Sequence, residues 1–441
     1  MPSTIPEHPL HLGILCPEVS GHLNPMLALA KALQGRGHRL TLVGKLDGED
    51  RAKSAGIDFV PVGETAYPKG SFTESLKTLG ELSGRAALKF TIVSYRRMAE
   101  VLLDDAVERL RELQPDGLLI DQTLTPGSSI AELLDLPFVS LAGALPMNSE
   151  PGVPPPVTGW RYRNTGWGRL RNRAGHALFG WIAGSIRRTI NAFRRRHALI
   201  PQTNISETFS RLAQIVQIPA EFDFPREELP ACVHYVGPLQ TPGSRPAVPF
   251  PFDKLADDKP LIYASMGTLQ NRLRHVFRTI GEACADRHAQ LVISQGGGED
   301  PRDSRKPRGS AWGTCSGGTI AVDYAPQPEL LQRASLTITH AGLNTAMESL
   351  AEGVPMVAIP VTNDQPGVAA RIERSGCGLT VPLSKLSVPR LRTAVERVLT
   401  DRRFRGNARR LQQSIQQAGG VARAADVVET AIRTRRPVLP P

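Results

Sequence analysis

The residues best placed to do chemistry lie in a single stretch of the second half of the chain. There Thr339 ends an apolar run of strand length, Gly342 lies in the turn that follows, and a helix is expected to begin near Leu343. A junction of this kind presents unpaired backbone N–H groups and the positive end of a helix dipole to an anion. Three side chains add hydrogen-bond donors at the same place: His340, Asn344 and Thr345. The stretch therefore predicts a pyrophosphate site.

A carboxylate follows on the same predicted helix. Glu348 comes four residues after Asn344 and three after Thr345, so the three side chains share one helix face. A carboxylate there is able to accept hydrogen bonds from the vicinal hydroxyls of a ribose beside the phosphates. Taken alone, this stretch is also compatible with an ordinary strand-to-helix turn, because single glycine motifs are weak signals.

A second candidate for chemistry lies near the N-terminus. His22 is expected in the turn between the first predicted strand and the first predicted helix, which would place it at a cleft. Imidazole, with an ordinary pKa of about 6.5, is suited to removing a proton from an attacking hydroxyl. Asp121 ends another buried strand and would be the anionic partner that holds the imidazole in one tautomer. For His22 alone, a capping or structural role stays open.

The elements that must position these residues alternate between strand and helix in both halves of the chain. The predicted strands are His11–Cys16, Arg39–Val43, Gly117–Asp121, Pro137–Leu141, Leu261–Ser265, Ala289–Ser294, Thr319–Val322, Leu336–Thr339 and Pro355–Ile359. Such alternation predicts an α/β fold of parallel sheets covered by helices on both faces. A proline-rich segment, 241–259, indicates a linker between two Rossmann-like domains, 1–240 and 260–441. The two domains are expected to face each other across a ligand-binding cleft.

The bulk composition is that of a globular protein with reduced thiols. Hydrophobic residues make up 41% of the chain, and its five cysteines form no Cys-x-x-Cys pair, which argues against a disulfide framework or a zinc site. Neither a signal peptide nor an apolar run long enough to span a membrane is evident. These features predict a cytoplasmic protein. Two acidic pairs, Asp104-Asp105 and Asp257-Asp258, are interpreted as solvated, so no metal site is predicted.

Most of the formal net charge of +11 comes from one segment. Residues 151–206 contain ten arginines and no acidic residue, and an apolar stripe recurs in the segment at helical spacing, formed by Leu178, Ile182, Ile186, Ile190 and Phe193. One interpretation is a basic amphipathic surface, between Arg161 and Arg196, that rests on anionic lipid. Another is a helix that roofs a ligand pocket and has a solvated basic face. Nucleic-acid binding is ranked last, and no nucleic-acid partner is expected.

Taken together, the motifs resemble the signature of the family 1 glycosyltransferases, which include the plant UDP-glycosyltransferases and bacterial relatives. The motifs that carry the resemblance are Pro326-Gln327, His340-x-Gly342-x-Asn344-Thr345, Glu348, Gly353-x-Pro355 and Asp364-Gln365. The specific part of the resemblance covers Tyr324–Gln365, whereas the general layout matches over the whole chain. Two positions depart from the plant signature, because Tyr324 and Leu343 each stand where plant enzymes have Trp.

The resemblance implies a GT-B fold and a role for each motif. The acceptor would bind in residues 1–240, with His22 as the base and Asp121 as its partner, and the donor in residues 260–441, with the terminal helix returning to the first domain. The donor-binding residues that it implies are Gly267 and Thr268 of a phosphate-binding loop, Tyr324 stacked on uracil, Gln327, the diphosphate-binding His340, Gly342, Asn344 and Thr345, Glu348 on the ribose, and Asp364 and Gln365 on the sugar.

The reaction implied by the resemblance is an inverting transfer of glucose from UDP-glucose to a hydroxyl of a small lipophilic acceptor, with no metal and no cofactor. The string Asp364–Ile372, with Asp323-Tyr324 upstream, is similar to that of bacterial carotenoid glucosyltransferases. A carotenoid such as zeaxanthin is therefore the first candidate acceptor, and a polyphenol, a macrolide or a sterol stays open. The alternative functions are a UDP-sugar epimerase of the same fold, a non-catalytic binding partner and a lipid-linked cell-wall transferase.

Overall fold

The structure of the protein, a computed structural model, describes residues 8–81, 84–240, 248–267, 273–285, 288–296 and 319–440. Thr268 and residues 241–247 of the predicted linker lie outside this part of the chain. The predicted division into residues 1–240, 241–259 and 260–441 stays a prediction.

Two parallel sheets organise the described residues. The first contains β1 His11–Leu15, β2 Arg39–Gly44, β3 Asp58–Pro61, β4 Gly117–Asp121, β5 Phe138–Ala142, β6 Gln214–Val216 and β7 Val233–Tyr235, in the order β3-β2-β1-β4-β5-β6-β7. The second contains β8 Leu261–Ser265, β9 Gln290–Ser294, β10 Thr319–Val322, β11 Ala334–Thr339, β12 Met356–Ala358 and β13 Gly378–Thr380, in the order β10-β9-β8-β11-β12-β13. In both sheets the strand order changes direction beside the first strand, which opens a crevice at the carboxyl ends. The predicted fold of two Rossmann-like α/β domains is confirmed.

Helices connect the strands in both domains. Those of the first domain are α1 Ser20–Gly35, α2 Glu49–Ser54, α3 Ser71–Glu81, α4 Gly84–Val101, α5 Val107–Leu113, α6 Gly127–Leu133, α7 Gly166–Ile182 and α8 Gly184–Arg196, with a π-helical turn at Leu102–Ala106. Those that follow are α9 Arg274–Cys284, α10 Gln327–Arg333, α11 Leu343–Ala351, α12 Gln365–Ser375, α13 Val388–Thr400, α14 Arg402–Gln417 and α15 Gly420–Thr434.

The strand β4 shows why the central strands are almost continuously apolar. Leu118 and Ile120 pack into the core on one face of the first sheet, and Leu119 packs into the core on the other face. A parallel strand that is covered by helices on both faces needs apolar side chains at successive positions. Asp121 ends this strand, and its carboxylate lies at the crevice side of the sheet.

The two domains are joined by apolar contacts at two places. Beside the crevice, Leu145 and Phe222 of the first domain pack in one buried cluster with Leu343 and Met347 of the second. Near the end of the chain, α15 packs against α1 and contributes to the core of the first sheet. The chain therefore returns to its first domain after building the second.

The basic segment forms two helices, whereas its spacing predicted one amphipathic helix. α7 ends and α8 begins on either side of Ala183, so the predicted apolar stripe is divided between them. Ile190 of α8 is buried in the core of the first domain, while Leu178 of α7 is exposed. Gly180 and Gly184 flank the junction, and glycine weakens a helix because it loses more backbone entropy than other residues.

Candidate active site

A cavity of about 1800 Å³ opens between the two sheets. The sequence-predicted site residues that line it are His22, Gly267, Tyr324, Gln327, His340, Gly342, Asn344, Thr345, Glu348, Asp364 and Gln365. Asp121 lies behind His22 and is fully buried. The fold thus brings candidate residues from the two halves of the chain together at one cavity.

His22 and Asp121 form a hydrogen-bonded pair at the wall of this cavity. The distance from Nδ1 of His22 to Oδ2 of Asp121 is 2.9 Å. The His22 side chain keeps 18% of its surface exposed, so the ring is accessible from the cavity. Because a carboxylate only accepts hydrogen bonds, Nδ1 is the donor, and Nε2 of the neutral ring is left as the proton acceptor.

The electrostatics of the pair favour a charged imidazole once it has taken up a proton. Burial acts to lower the pKa of His22, but the charge and hydrogen bond of Asp121, with a smaller contribution from Asp364, raise it above the ordinary 6.5. Burial acts to raise the pKa of Asp121, and His22 together with Thr123 lowers it below its ordinary value. Thr123 donates to Oδ1 of Asp121 from its backbone N at 2.9 Å and from its hydroxyl at 2.5 Å. Asp121 is therefore held as the anion that an imidazolium requires.

The structure places His22 in the first turn of α1, not in the turn ahead of a helix as the sequence predicted. The helix was expected to begin near Pro25, whereas α1 begins at Ser20 and contains Pro25. Pro25 has no N–H, so the carbonyl of Gly21, four residues earlier, lacks its usual intrahelical donor. Asn344 of the second domain supplies one instead, because its Nδ2 donates to the Gly21 carbonyl at 3.0 Å. The first turn of α11 thereby contacts the residue next to His22.

Two residues that the sequence analysis did not select hold this arrangement together. Gln217 donates to the carbonyl of Gly143 at 2.6 Å and to Oδ1 of Asn344 at 3.3 Å. A Cβ atom at Gly143 would lie 2.5 Å from Oδ2 of Asp121 and 2.6 Å from Nδ1 of His22, so a side chain there would disturb the pair. Gln217 follows β6 and Gly143 follows β5, and a position directly after a parallel strand is the signal that could have identified them.

The second domain presents the N-terminus of α11 to the cavity. α11 begins at Leu343, and its N-cap residue is Gly342, which has no side chain to cap the helix. Its first N–H groups lack intrahelical partners, and its dipole is positive at this end. Ala341, just before the helix, has a φ of +63°, a left-handed backbone conformation that is uncommon outside glycine and often found at functional turns. This wall of the cavity is electrostatically suited to an anion.

The ring of His340 packs between two glycines beside this helix. A Cβ atom at Gly267 would lie 2.7 Å from the ring, one at Gly342 would also collide with it, and Gly267 has a φ of +71° that favours glycine. Burial lowers the pKa of His340 to about 4, so the ring is neutral at neutral pH. Within the described part of the chain its buried Nδ1 has no hydrogen-bond partner. The neutral ring thus lies beside the N-terminus of α11 and adds no charge there.

Glu348 is held in place by hydrogen bonds from other elements of the second domain. Nε2 of Gln327, the first residue of α10, donates to Oε2 of Glu348 at 2.5 Å. The hydroxyl of Tyr263, on β8, donates to Oε1 of Gln327 at 3.0 Å. Glu348 is buried, whereas the ring of Tyr324 is 37% exposed at the cavity. A carboxylate that accepts hydrogen bonds and an accessible aromatic ring thus lie along the same wall.

Asp364 and Gln365 lie where the second domain meets the first. Oδ2 of Asp364 accepts a hydrogen bond from the backbone N–H of Leu145 at 3.2 Å. Burial raises the pKa of Asp364, although the Leu145 N–H and His22 oppose this shift. Oε1 of Gln365 accepts from two backbone N–H groups of the preceding loop at 2.9 and 3.0 Å, so this side chain shapes the loop that leads into α12.

The remainder of the cavity has a substantial apolar wall, built by the helices of the first domain. Side chains from α3, α4, α7 and α8 that line it are Phe72, Phe90, Met98, Phe179, Ile186 and Ile190. A wall of this composition suits a lipophilic ligand. The part of the chain that the structure describes contains no cluster of three or more His, Cys, Asp or Glu side chains that could hold a metal ion. Nor does it contain a helix long and apolar enough to cross a membrane.

Comparison with known proteins relates the chain to glycosyl transferases over almost its full length. A family model described as UDP-glucoronosyl and UDP-glucosyl transferase matches residues 69–418. The zeaxanthin glucosyltransferase of Pantoea ananas is 34% identical over 430 residues, which are 97% of each chain. That of Pseudescherichia vulneris is 32% identical over 424 residues, 96% of this chain and 98% of the other. The solved structure of the calicheamicin glycosyltransferase CalG4 matches with a TM-score of 0.72 and 26% sequence identity, over 97% of this chain and 99% of its own.

Proposed function

This chain belongs to the UDP-glucoronosyl and UDP-glucosyl transferase family, and we propose that it transfers glucose from UDP-glucose to a terminal hydroxyl of a carotenoid such as zeaxanthin. Family membership makes it a glycosyltransferase, with a GT-B fold of two parallel-sheet domains. One observation carries the proposal: His22, which is hydrogen-bonded to the buried Asp121, and the N-terminus of α11 line the same cavity from opposite domains.

The proposed reaction is a direct displacement with inversion at the sugar. The acceptor oxygen forms a bond to the anomeric carbon while its proton moves to Nε2 of His22, and the bond from that carbon to the diphosphate breaks. Asp121 stabilises the imidazolium that forms. UDP leaves with its additional charge beside the N-terminus of α11, where unpaired N–H groups and the helix dipole stabilise it. No metal ion takes part in this scheme.

The donor side of the proposal rests on the chemistry of the second-domain wall. His340, Gly267 and the first turn of α11 would contact the diphosphate, with Thr345 as a side-chain donor. Glu348, held by Gln327, would accept hydrogen bonds from the ribose hydroxyls, and Tyr324 would stack on the uracil. Asp364 and Gln365 would bind the glucose, between the diphosphate and His22. Because Asp364 also accepts a hydrogen bond from Leu145 of the first domain, Asp364 and Gln365 would select the sugar at the boundary between the two domains.

The acceptor side rests on the apolar wall and on the relatives. The cavity extends beyond His22 along aromatic and aliphatic side chains of α4, α7 and α8, which suits an extended apolar molecule that carries a hydroxyl at its end. Both relatives named above are zeaxanthin glucosyltransferases. A carotenoid diol is therefore the acceptor that we place first, ahead of a polyphenol, a macrolide or a sterol.

The test is an assay of purified protein with UDP-glucose and an acceptor panel that includes detergent-dispersed zeaxanthin. Products are identified by mass spectrometry, and the wild type is compared with His22→Ala and with a matched control, His275→Ala. His275 is an exposed histidine on α9 that does not line the cavity. We expect hexosylated zeaxanthin from the wild type and the control, and a loss of at least about 10²-fold in rate for His22→Ala.

Each other outcome rejects a distinct part of the proposal. Glycosylation of another acceptor but not of zeaxanthin would reject the carotenoid and keep the transferase. A His22→Ala variant as active as the wild type would reject His22 as the base. Consumption or isomerisation of UDP-glucose in the absence of any acceptor would favour the epimerase.

A further inference from the structure

The helix α7 carries an apolar face that no part of the described protein covers. Its exposed apolar side chains are Trp167, Leu170, Ala174, Ala177, Leu178 and Trp181. They recur at spacings of one, three and four residues and so form one stripe along the helix. The two tryptophans are 70% and 78% exposed, and the two leucines 56% and 58%. Contiguous exposure of large apolar side chains is unusual for a protein surface and marks an interaction site.

The opposite face of α7 fixes the orientation of this stripe. Gly168 and Asn172 are buried, Nδ2 of Asn172 donates to the carbonyl of Pro151 at 3.0 Å, and His176 bonds the carbonyl of Val153 at 2.9 Å. The polar side of the helix is thus anchored to the protein and the apolar side faces solvent. This is the reverse of the usual arrangement for a surface helix, whose apolar face packs on the core.

The surroundings of the stripe are cationic. Residues 151–206 contain no acidic side chain. Arg169 of α7 pairs with Glu227, but among the described residues Arg173 and Arg188 are exposed and form no ion pair with a carboxylate. Arg173 lies on α7 itself, next to the apolar stripe. Tryptophans combined with arginines are the composition that binds at the interface of an anionic bilayer, where the rings lie at the headgroups and the guanidinium groups contact phosphates.

We propose that the exposed face of α7 docks on an anionic lipid bilayer, with its apolar stripe in the headgroup region and the neighbouring arginines on the lipid phosphates. A second copy of this chain is the competing occupant. A twofold contact through the same face would bring identical arginines of both copies together, and such like-charge contacts oppose association. Charge complementarity therefore favours the bilayer.

Docking through this face would also place the cavity beside the membrane. Ala177 and Trp181 belong both to the exposed stripe and to the lining of the cavity, so the stripe runs to the cavity mouth. A lipophilic acceptor dissolved in the bilayer would then enter without crossing water. This second step rests on the proposed function, whereas the docking itself does not.

Docking is tested by sedimentation with vesicles of phosphatidylglycerol and phosphatidylcholine, compared with vesicles of phosphatidylcholine alone. The variant Trp167→Ser/Leu170→Gln/Leu178→Gln removes three side chains of the stripe that do not line the cavity. Its control is Leu439→Gln, which removes an equally exposed leucine, 60% exposed, from the C-terminal segment.

We expect the triple variant to bind anionic vesicles roughly tenfold more weakly than the wild type, because binding scales with the buried apolar area. The control should bind as the wild type does, and neutral vesicles or high salt should weaken the binding of all forms.

The proposal is overturned if the wild type does not bind anionic vesicles or if the triple variant binds them equally well. It is also overturned if light scattering detects a wild-type dimer that the triple variant loses, without any binding of vesicles.

An activity assay separates this inference from the proposed function. The triple variant should glucosylate detergent-dispersed zeaxanthin within about twofold of the wild-type rate, as is usual for surface changes, and should be slower only on zeaxanthin in anionic vesicles. If no protein forms product in either preparation, the proposed function fails while the sedimentation result stands.

Discussion

At the scale of single residues, His22 is useful as a base only while its ring is neutral. Its pKa is raised above 6.5, with burial opposed by Asp121 and Asp364, so the ring becomes protonated at a higher pH than an ordinary imidazole. The protonated ring cannot accept the proton of the acceptor. We therefore expect kcat/KM to have an acid limb with its midpoint above 6.5, measured by following product formation across the pH range at low substrate.

The substitution Asp121→Asn should change both the rate and the position of this limb. A neutral amide no longer stabilises the imidazolium, so the pKa of His22 should fall and the acid limb should move to lower pH. The rate should fall by roughly 10²-fold, since general-base catalysis contributes factors of that order or more. KM for UDP-glucose should stay unchanged, because Asp121 does not line the cavity. A limb that stays in place, with an unchanged rate, would show that the pair does not act in catalysis.

Gly143 is a further position where one methyl group should remove activity. In Gly143→Ala the added Cβ would meet Oδ2 of Asp121 at 2.5 Å and Nδ1 of His22 at 2.6 Å. The pair must then separate, and we expect a loss of roughly 10²-fold in kcat, measured with the zeaxanthin assay. The matched control is Gly152→Ala, because a Cβ atom there has no neighbour within 4 Å. Equal activity of the two variants would contradict the geometry described for the pair.

His22 and Asp121 could be selected from the sequence because their residue types suit proton transfer and because each lies near the carboxyl end of a predicted strand. Gly143 and Gln217 could not be selected, although they too follow strands. Their importance arises from the order β4-β5-β6 in the sheet, which brings Gly143 against Asp121. A local pattern of apolar residues predicts that a strand exists, but it does not state which strands are neighbours.

At the scale of elements, α11 carries both the N-terminus that we propose to bind the diphosphate and Glu348. The substitution Glu348→Ala should remove the acceptor for the ribose hydroxyls. We expect KM for UDP-glucose to rise roughly 10- to 100-fold, with a smaller effect on kcat at saturation, because lost hydrogen bonds to a buried site cost a few kcal/mol. Discrimination against 2′-deoxy-UDP-glucose should be lost at the same time. Steady-state kinetics with both donors checks this, and unchanged discrimination would place the ribose elsewhere.

The terminus of α11 also leads to an expectation about metal ions. Its N-cap residue is Gly342, without a side chain, and the terminus lies in the cavity wall. Its N–H groups and dipole can therefore stabilise the departing diphosphate as a divalent cation does in other transferases. We therefore expect kcat with UDP-glucose to be unaffected by EDTA and not increased by added Mg²⁺. Loss of activity in EDTA that added Mg²⁺ or Mn²⁺ restores would contradict this part of the proposed mechanism.

The basic segment shows what periodicity alone could not establish about an element. The stripe from Leu178 to Phe193 predicted one helix with one apolar face. The break at Ala183 separates α7 from α8, so Ile190 packs in the core while Leu178 faces solvent. The position at which one helix ends and the next begins decides which side chains pack in the core. The spacing of apolar residues in the sequence does not reveal that position.

At the scale of the whole molecule, the two domains are tied together by a buried ionic contact as well as by apolar packing. Arg371 of α12 donates to Oδ1 of Asp223, in the first domain, from Nε at 2.8 Å and Nη2 at 2.6 Å. Oδ2 of Asp223 accepts from Arg226 at 3.0 Å and from the hydroxyl of Tyr235 at 2.8 Å. The ring of Phe224 lies 4.2 Å from the Arg371 guanidinium. The sequence did not predict this contact, because Asp223 and Arg371 are 148 positions apart and each resembles an ordinary surface charge.

The two partners of this contact should not be equally sensitive to substitution. Asp223→Ala leaves the buried Arg371 without its carboxylate and leaves Arg226 with only the carboxylate of Glu150, at 3.8 Å, and should lower the free energy of unfolding by about 3–5 kcal/mol. Arg371→Met leaves Asp223 with Arg226 and Tyr235, replaces a charge by an apolar chain of similar length, and should cost only about 1–3 kcal/mol. Urea unfolding followed by fluorescence and circular dichroism gives both values, and an equal loss in the two variants would contradict this order.

The same contact predicts how the stability of the molecule depends on pH. Burial acts to raise the pKa of Asp223, but Arg371 and Arg226 hold it well below its ordinary 3.8. The ionised carboxylate of Asp223 therefore stabilises the folded protein at pH values above the ordinary 3.8. This stabilisation is lost as the pH falls from 3.8 toward the lowered pKa and the group is protonated. Asp223→Ala should flatten the acid side of the stability curve, whereas Arg371→Met should flatten it only in part because Arg226 still depresses the pKa of Asp223. Parallel acid limbs in the wild type and both variants would show that the ionised Asp223 carboxylate does not contribute to the stability of the folded protein.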